Sequence, residues 1–205
     1  ELKGLLDQFN ASESYPDDYK EIIGDFSKLI EKVELGKPDN LDSAKKQLIK
    51  EMGVLDVKAV QYSALHESDL VNQNTGKKLD VKLAPVVYGE TLRVYADATK
   101  RIADAPHNTG LVKRASEEAM FAAYRAWFIT ERMLALQKLS LEGVALSEEQ
   151  YLSDLTAAIG HKDLRDQALF KQVQIIGDAA KAAIQDQSRL GTSQNATSTL
   201  EERLK

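Results

Sequence analysis

The chain has 205 residues, 43% of them hydrophobic and 29% charged, with a formal net charge of −5. That is enough apolar material to bury a core, and it excludes a disordered chain. The acidic balance, with no cluster of lysine or arginine, argues against a nucleic-acid partner, and the absence of cysteine excludes disulfides, thiolate metal sites and thiol nucleophiles.

Four prolines and eleven glycines interrupt a sequence rich in helix formers. No apolar run reaches the ~18 residues that span a bilayer, and no signal peptide is recognisable. Residues 1–9 start as amphipathic helix. Pro16 suits the first turn of the next helix with Ser14 as its cap, and Tyr19, Ile22, Ile23, Phe26, Leu29, Ile30 and Val33 form a stripe of period 3.6. Gly36-Lys37-Pro38 stops it. Asp39 or Asn40 caps a second long helix whose stripe runs from Leu41 through Leu48, Met52, Leu55, Ala59 and Leu65 to about Asn72. Residues 72–78, NQNTGKK, read as a turn, and the alternation Leu79, Val81, Leu83 as a short extended piece. Helix resumes at Pro85, with Tyr88, Leu92, Tyr95, Ala98 and Ile102 on one side, and ends in the loop at 105–110.

The stretch from Thr109 to about Gly143 is expected to be the central helix. It holds no proline and, between Gly110 and Gly143, no glycine, and has apolar residues at Ala115, Ala119, Ala122, Ala126, Ile129, Met133 and Leu136. A second row, Glu118, Phe121, Arg125, Phe128, Arg132, lies beside that stripe. Ser147 with Gln150 reads as a capping box opening a shorter helix that ends at Gly160. A last helix carries Leu164, Leu169, Val173, Ile176 and Ile184, with residues 191–198 expected to be loose. The expectation is an all-α fold, an elongated antiparallel bundle of about six to seven helices forming one domain over 1–205.

Arg125 and Arg132 stand two turns apart on one face, interleaved with Phe121 and Phe128. An arginine among apolar residues needs an anionic partner to offset its desolvation. The candidate ligand site is therefore Arg132, Arg125 and Phe128, holding a small planar oxyanion. The competing reading pairs each arginine with an acid of a neighbouring helix or lets it reach water. His66, His107 and His161 have no metal-ligand spacing, and His107 and His161 are placed in solvated loops. No nucleophile, base and stabiliser converge, so no catalytic residue, metal or cofactor is expected.

Several short motifs point further: Tyr88-Gly-Glu-Thr-Leu92, Ala103-Asp-Ala-Pro106, Ile129-Thr-Glu131-Arg132-Met-Leu134 and Leu146-Ser147-Glu148-Glu149-Gln150-Tyr151. With them, the run Val87 to Gln172 resembles the second half of the nitrate- and nitrite-sensing (NIT) domain of bacterial receptors. The family's earlier Gln-Arg-Glu-Arg-Gly motif is not found in this chain. In that family arginines on facing helices clasp the anion, and Arg132 is the position that carries over, while Arg125 comes from its helix face alone.

The resemblance implies an extracytoplasmic, ligand-sensing domain of a chemoreceptor or sensor kinase. Such a domain works as a homodimer, and both ends, which read as helix, would continue into flanking transmembrane helices. The alternative is a helical scaffold that binds a protein partner and no small molecule.

Overall fold

The computed structural model describes residues 2–36 and 40–203, with side chains through 189. All regular structure among them is helical, so the chain is an all-α helical bundle protein, with eight α-helices and one 3₁₀ turn among the described residues. The chain divides into two compact units, residues 1–135 and 136–205.

In the first unit, α1 (Leu2–Gln8), α2 (Ala11–Ser14), α3 (Pro16–Glu34) and α5 (Pro85–Asp104) all pack on α4 (Leu41–Lys78). At 38 residues, α4 is about 57 Å long and serves two cores in succession. Its first half joins Leu6, Ala11 and Ile22 through Leu48, Met52, Leu55 and Ala59. Its second half joins Val60 and Leu65 to Ala98 and Ile102 of α5 and to Ala115 and Ala119 of α6 (Thr109–Leu136).

The central place thus belongs to α4 and not to Thr109–Gly143. The reason lies in side-chain size. The buried positions of α6 are Ala115, Ala119, Ala122, Ala123, Ala126 and Thr130, all small side chains that contribute little to a core. Its larger residues point elsewhere: Phe121 is 72% exposed and Phe128 59%.

Several local expectations are corrected. α4 does not turn at 72–78, because Asn72 and Thr75 are buried rather than solvated. The Thr91 hydroxyl donates to Asn72 Oδ1 at 2.9 Å, and the Thr75 hydroxyl to the Val71 carbonyl at 2.8 Å, so tertiary packing of a polar seam keeps the helix going. The alternation at Leu79–Leu83 becomes a 3₁₀ turn, Val81–Leu83, whose lead residue Asp80 accepts the Lys82 amide; no strand exists among the described residues for it to pair with. Ser14 closes α2 instead of capping α3, and Tyr15 stands at the cap with Pro16 in the first turn. Asn40 flanks α4 in the left-handed region with no side-chain cap bond; the proposed stop and cap at residues 37–39 lie outside the described residues. Asn108 caps α6, its Oδ1 accepting the Leu111 amide at 3.1 Å.

In the second unit, α7 (Leu141–Ala158) and α8 (Leu169–Arg203) pack on each other. α6 stops at Leu136 and Ser140 caps α7 by accepting the Gly143 amide at 3.0 Å, so Ser147 lies inside a helix that began two turns earlier. Gly160, at φ +68°, closes it. The loop before α8 buries Leu164 and is tied by a fork from Arg165 to Asp163, with Nη2–Oδ2 at 2.6 Å. That fork holds the Asp163 carboxyl down at about 2. The backbone of α8 continues as helix through 191–198, where a loose segment was expected.

Candidate functional site

The face of α6 that carries Arg125, Phe128 and Arg132 is present, and Arg125 and Phe128 line a wide, shallow groove of about 610 Å³ along it together with Met120, Phe121 and Tyr124. Arg125 Nη1 reaches Glu90 Oε2 of α5 at 2.6 Å, with both side chains over 40% exposed. Two turns earlier, Glu118 of the same row pairs with Arg101 of α5, and this hydrogen bond raises the guanidinium pKa above its ordinary value. Arg132 is half-buried and also partnered. For Arg125, then, the acid of a neighbouring helix supplies the anion that its position demands. Phe121, Tyr124 and Phe128 are left as an outward-facing aromatic row, with Tyr124 stacked on Phe128 at 6.1 Å and its hydroxyl 3.3 Å from Glu67.

A more enclosed arrangement lies lower in the same unit, where α1, α4 and the start of α6 meet around a cleft of about 430 Å³. Its walls are apolar: Leu5 and Phe9 from the α1 end, Val60 and Ala64 from α4, Val112 from α6. Polar groups converge on it from three directions, with Gln8 from α1, Ser63 from α4, and His107 with Lys113 from the loop and first turns of α6. The size and the ratio of apolar wall to polar head match small-molecule sites in general. The Ser116 hydroxyl is already spent, donating to the Ala64 carbonyl at 2.6 Å and so tying α6 to α4 along the cleft.

His107 is the residue whose role differs most from its expected place in a solvated loop. Its Nε2 lies 2.8 Å from Oδ2 of Asp56, and its ring sits 6.2 Å from that of Phe9. The Asp56 side chain is only 4% exposed, and its Oδ1 is buried without a hydrogen-bond partner among the described residues. A carboxylate so deep in a helix interface requires a charge-assisted partner. His107 supplies it from half in solvent, so the pair fixes the 105–108 loop on α4 and sets the imidazole, with Nδ1 clear of Asp56, at the cleft. Asp56 does carry a sequence signal. It stands four residues from both Met52 and Val60, on the buried stripe itself, where a lone carboxylate demands a cation.

The His107–Asp56 pair lacks a third ligand, and no cluster of His, Asp or Glu suited to a metal occurs among the described residues. His66 stacks on Tyr62 at 4.3 Å and His161 contacts the Lys162 carbonyl, so the three histidines stay apart. No described helix is long and apolar enough to cross a membrane. The chain matches no protein family, no curated protein and no solved structure with which it was compared.

Proposed function

We propose that the chain is an extracytoplasmic ligand-sensing domain of a bacterial signal-transduction receptor, binding a small molecule between helices. The observation that carries this reading is the cleft between α1, α4 and α6, walled by apolar side chains and faced by a few convergent polar ones. The resemblance of Val87–Gln172 to the NIT domain supports the receptor context. The ligand's place moves from Arg125 and Arg132 to the cleft, because Arg125 is committed to Glu90. Three helices line the cleft, so a ligand that fits one setting of α1 against α6 better than another would shift that setting by its differential affinity.

The exposed aromatic row of α6 favours a second reading, a scaffold that binds a protein partner through Phe121, Tyr124 and Phe128.

A thermal-shift screen of nitrate, nitrite, carboxylates, amino acids and amines separates the two. A ligand at a hundred times its Kd adds ~2.7 kcal/mol to the folded state. Stabilisation that Val112→Phe removes, by filling the cleft, and that Arg132→Ala leaves intact supports the cleft reading. Stabilisation lost only in Arg132→Ala returns the site to α6. No stabilisation by any compound, together with a protein interaction lost in Phe121→Ala, favours the scaffold.

A further inference from the structure

We infer that the cleft between α1, α4 and α6 takes a small monocarboxylate with an apolar body, its carboxylate held at His107 and Lys113. This rests on the cleft reading above and adds the chemical class of the ligand.

The argument starts from the sign of the charges. The side chains that line the cleft include no Asp or Glu, whereas Lys113 brings a full positive charge and His107 a ring nitrogen. The nearby acids are already engaged. Asp56 is behind His107, bonded to its Nε2, and Glu117, which is not part of the lining, lies 3.8 Å from the Lys113 Nζ, both side chains being mostly exposed. A ligand cation would meet Lys113 with no carboxylate in the lining to offset it. A ligand anion would compete only with the exposed, 3.8 Å contact of Glu117 for the Lys113 ammonium.

The Asp56 bond also fixes the His107 ring at the edge of the cleft. With Nε2 engaged by Asp56, Nδ1 is the nitrogen left for a ligand, and the ring is held in place so that little rotational freedom is lost on binding. The other charged groups of the surrounding elements stay out of the cleft. Asp7 of α1 is taken by Lys3 at 2.7 Å and by the Tyr19 hydroxyl at 2.6 Å, and these bonds hold its carboxyl below the usual range.

The body of the ligand follows from the walls. Leu5, Phe9, Val60 and Val112 offer aliphatic and aromatic surface, and beyond Lys113 and His107 the lining holds only neutral polar groups, with no second cation for a second charged group. A dicarboxylate would bury a bare charge against them, at a cost that a monoacid avoids. A volume of about 430 Å³ accommodates an acid of ~6–10 carbons, straight or aromatic.

The test is titration calorimetry of the whole domain with three matched probe sets: hexanoate and benzoate, hexylamine and benzylamine, hexanol and benzyl alcohol. Two variants accompany it. Lys113→Glu reverses a charge on a side chain that is 76% exposed, so folding is not at stake, and Val112→Phe fills the cleft. The expected result is binding of the carboxylates alone, weakened on the order of tenfold in Lys113→Glu and abolished in Val112→Phe. Binding of an amine or alcohol that Val112→Phe abolishes, with no carboxylate binding, overturns the ligand class and leaves the cleft standing as a site. Carboxylate binding indifferent to both variants overturns the assignment of the site. Silence from all six probes overturns the proposed ligand class.

Discussion

Gly76 offers a test of the packing that carries α4 past the point where its sequence reads as a turn. A Cβ built on Gly76 would lie 2.6 Å from the Tyr88 hydroxyl oxygen and 3.5 Å from Cζ. Replacing a helical glycine by alanine ordinarily stabilises by ~0.5–1 kcal/mol. Here the hydroxyl must move by several tenths of an ångström. Tyr88 is half-buried against α4, so its ring swings as a unit, and such overpacking costs ~1–3 kcal/mol. The two effects set Gly76→Ala between neutral and ~2 kcal/mol destabilising. In a Tyr88→Phe background the nearest atom is the ring carbon at 3.5 Å, an ordinary contact. There the same substitution should stabilise by ~0.5–1 kcal/mol, a coupling of ~1–3 kcal/mol between the sites. Urea unfolding followed by fluorescence of Trp127 reads this directly, because the only tryptophan lies in the first unit. If Gly76→Ala stabilises equally in both backgrounds, α5 does not press on α4 at this point and the account of the helix's length fails.

Other perturbations follow from the same geometry. Thr91→Val removes the donor to Asn72 Oδ1 and leaves a buried amide more poorly satisfied; it should cost ~1–3 kcal/mol by urea unfolding, whereas Thr91→Ser should cost less than half as much. His107→Ala leaves the Asp56 carboxylate buried without its partner and should cost ~1–3 kcal/mol, much of it recovered when Asp56→Leu is added, since the double variant buries no charge. Arg125→Ala should change stability by less than ~1 kcal/mol, the ion pair with Glu90 being substantially exposed; a larger loss would mean that the α6 face carries more of the fold than its exposure allows. In the second unit, Asp163 titrates at about 2 against an ordinary 3.8, so its fork with Arg165 favours the folded loop above pH ~4 and the contribution is lost as the pH falls toward 2. A carboxyl carbon NMR titration should show that low midpoint, and Arg165→Ala should return it toward 3.8.

The fold class was legible because helix formers, amphipathic period and glycine stops all agree along most of the chain. α3, α5 and the end of α7 at Gly160 follow the written pattern closely. Residues 72–78 were not legible for a definite reason. Asn, Gln, Thr and Gly look like a solvated turn, yet Asn72 and Thr75 are buried, the Asn72 carbonyl oxygen accepting from Thr91 of α5 and the Thr75 hydroxyl donating within the helix. A polar residue seeking a partner 19 residues away leaves no local periodicity to find. The rank of α6 was misread by the opposite route. Its apolar count is high all round, but its buried residues are five alanines and Thr130, and a count weighs Phe121 the same whether a neighbour covers it or not.

The candidate site shows how far one sequence can carry the chemistry. The need of Arg125 for an acid was readable from its aromatic surroundings, and the acid turned out to be Glu90, 35 residues earlier on the neighbouring helix. The reciprocal need, that of Asp56 for a cation, was equally readable but less conspicuous, because one acid on a long helix looks like part of a solvated face. What makes it different is register. Asp56 shares its face with Met52 and Val60, and all three are buried. A charge at such a position obliges the fold to bring in a partner, and the partner comes from a loop 51 residues on. Both needs arise from the same cost of desolvation, yet they end differently. The acid of Arg125 closes an exposed pair on a helix surface, while the imidazole that partners Asp56 stands at the edge of an apolar cleft with a second ring nitrogen still to be used.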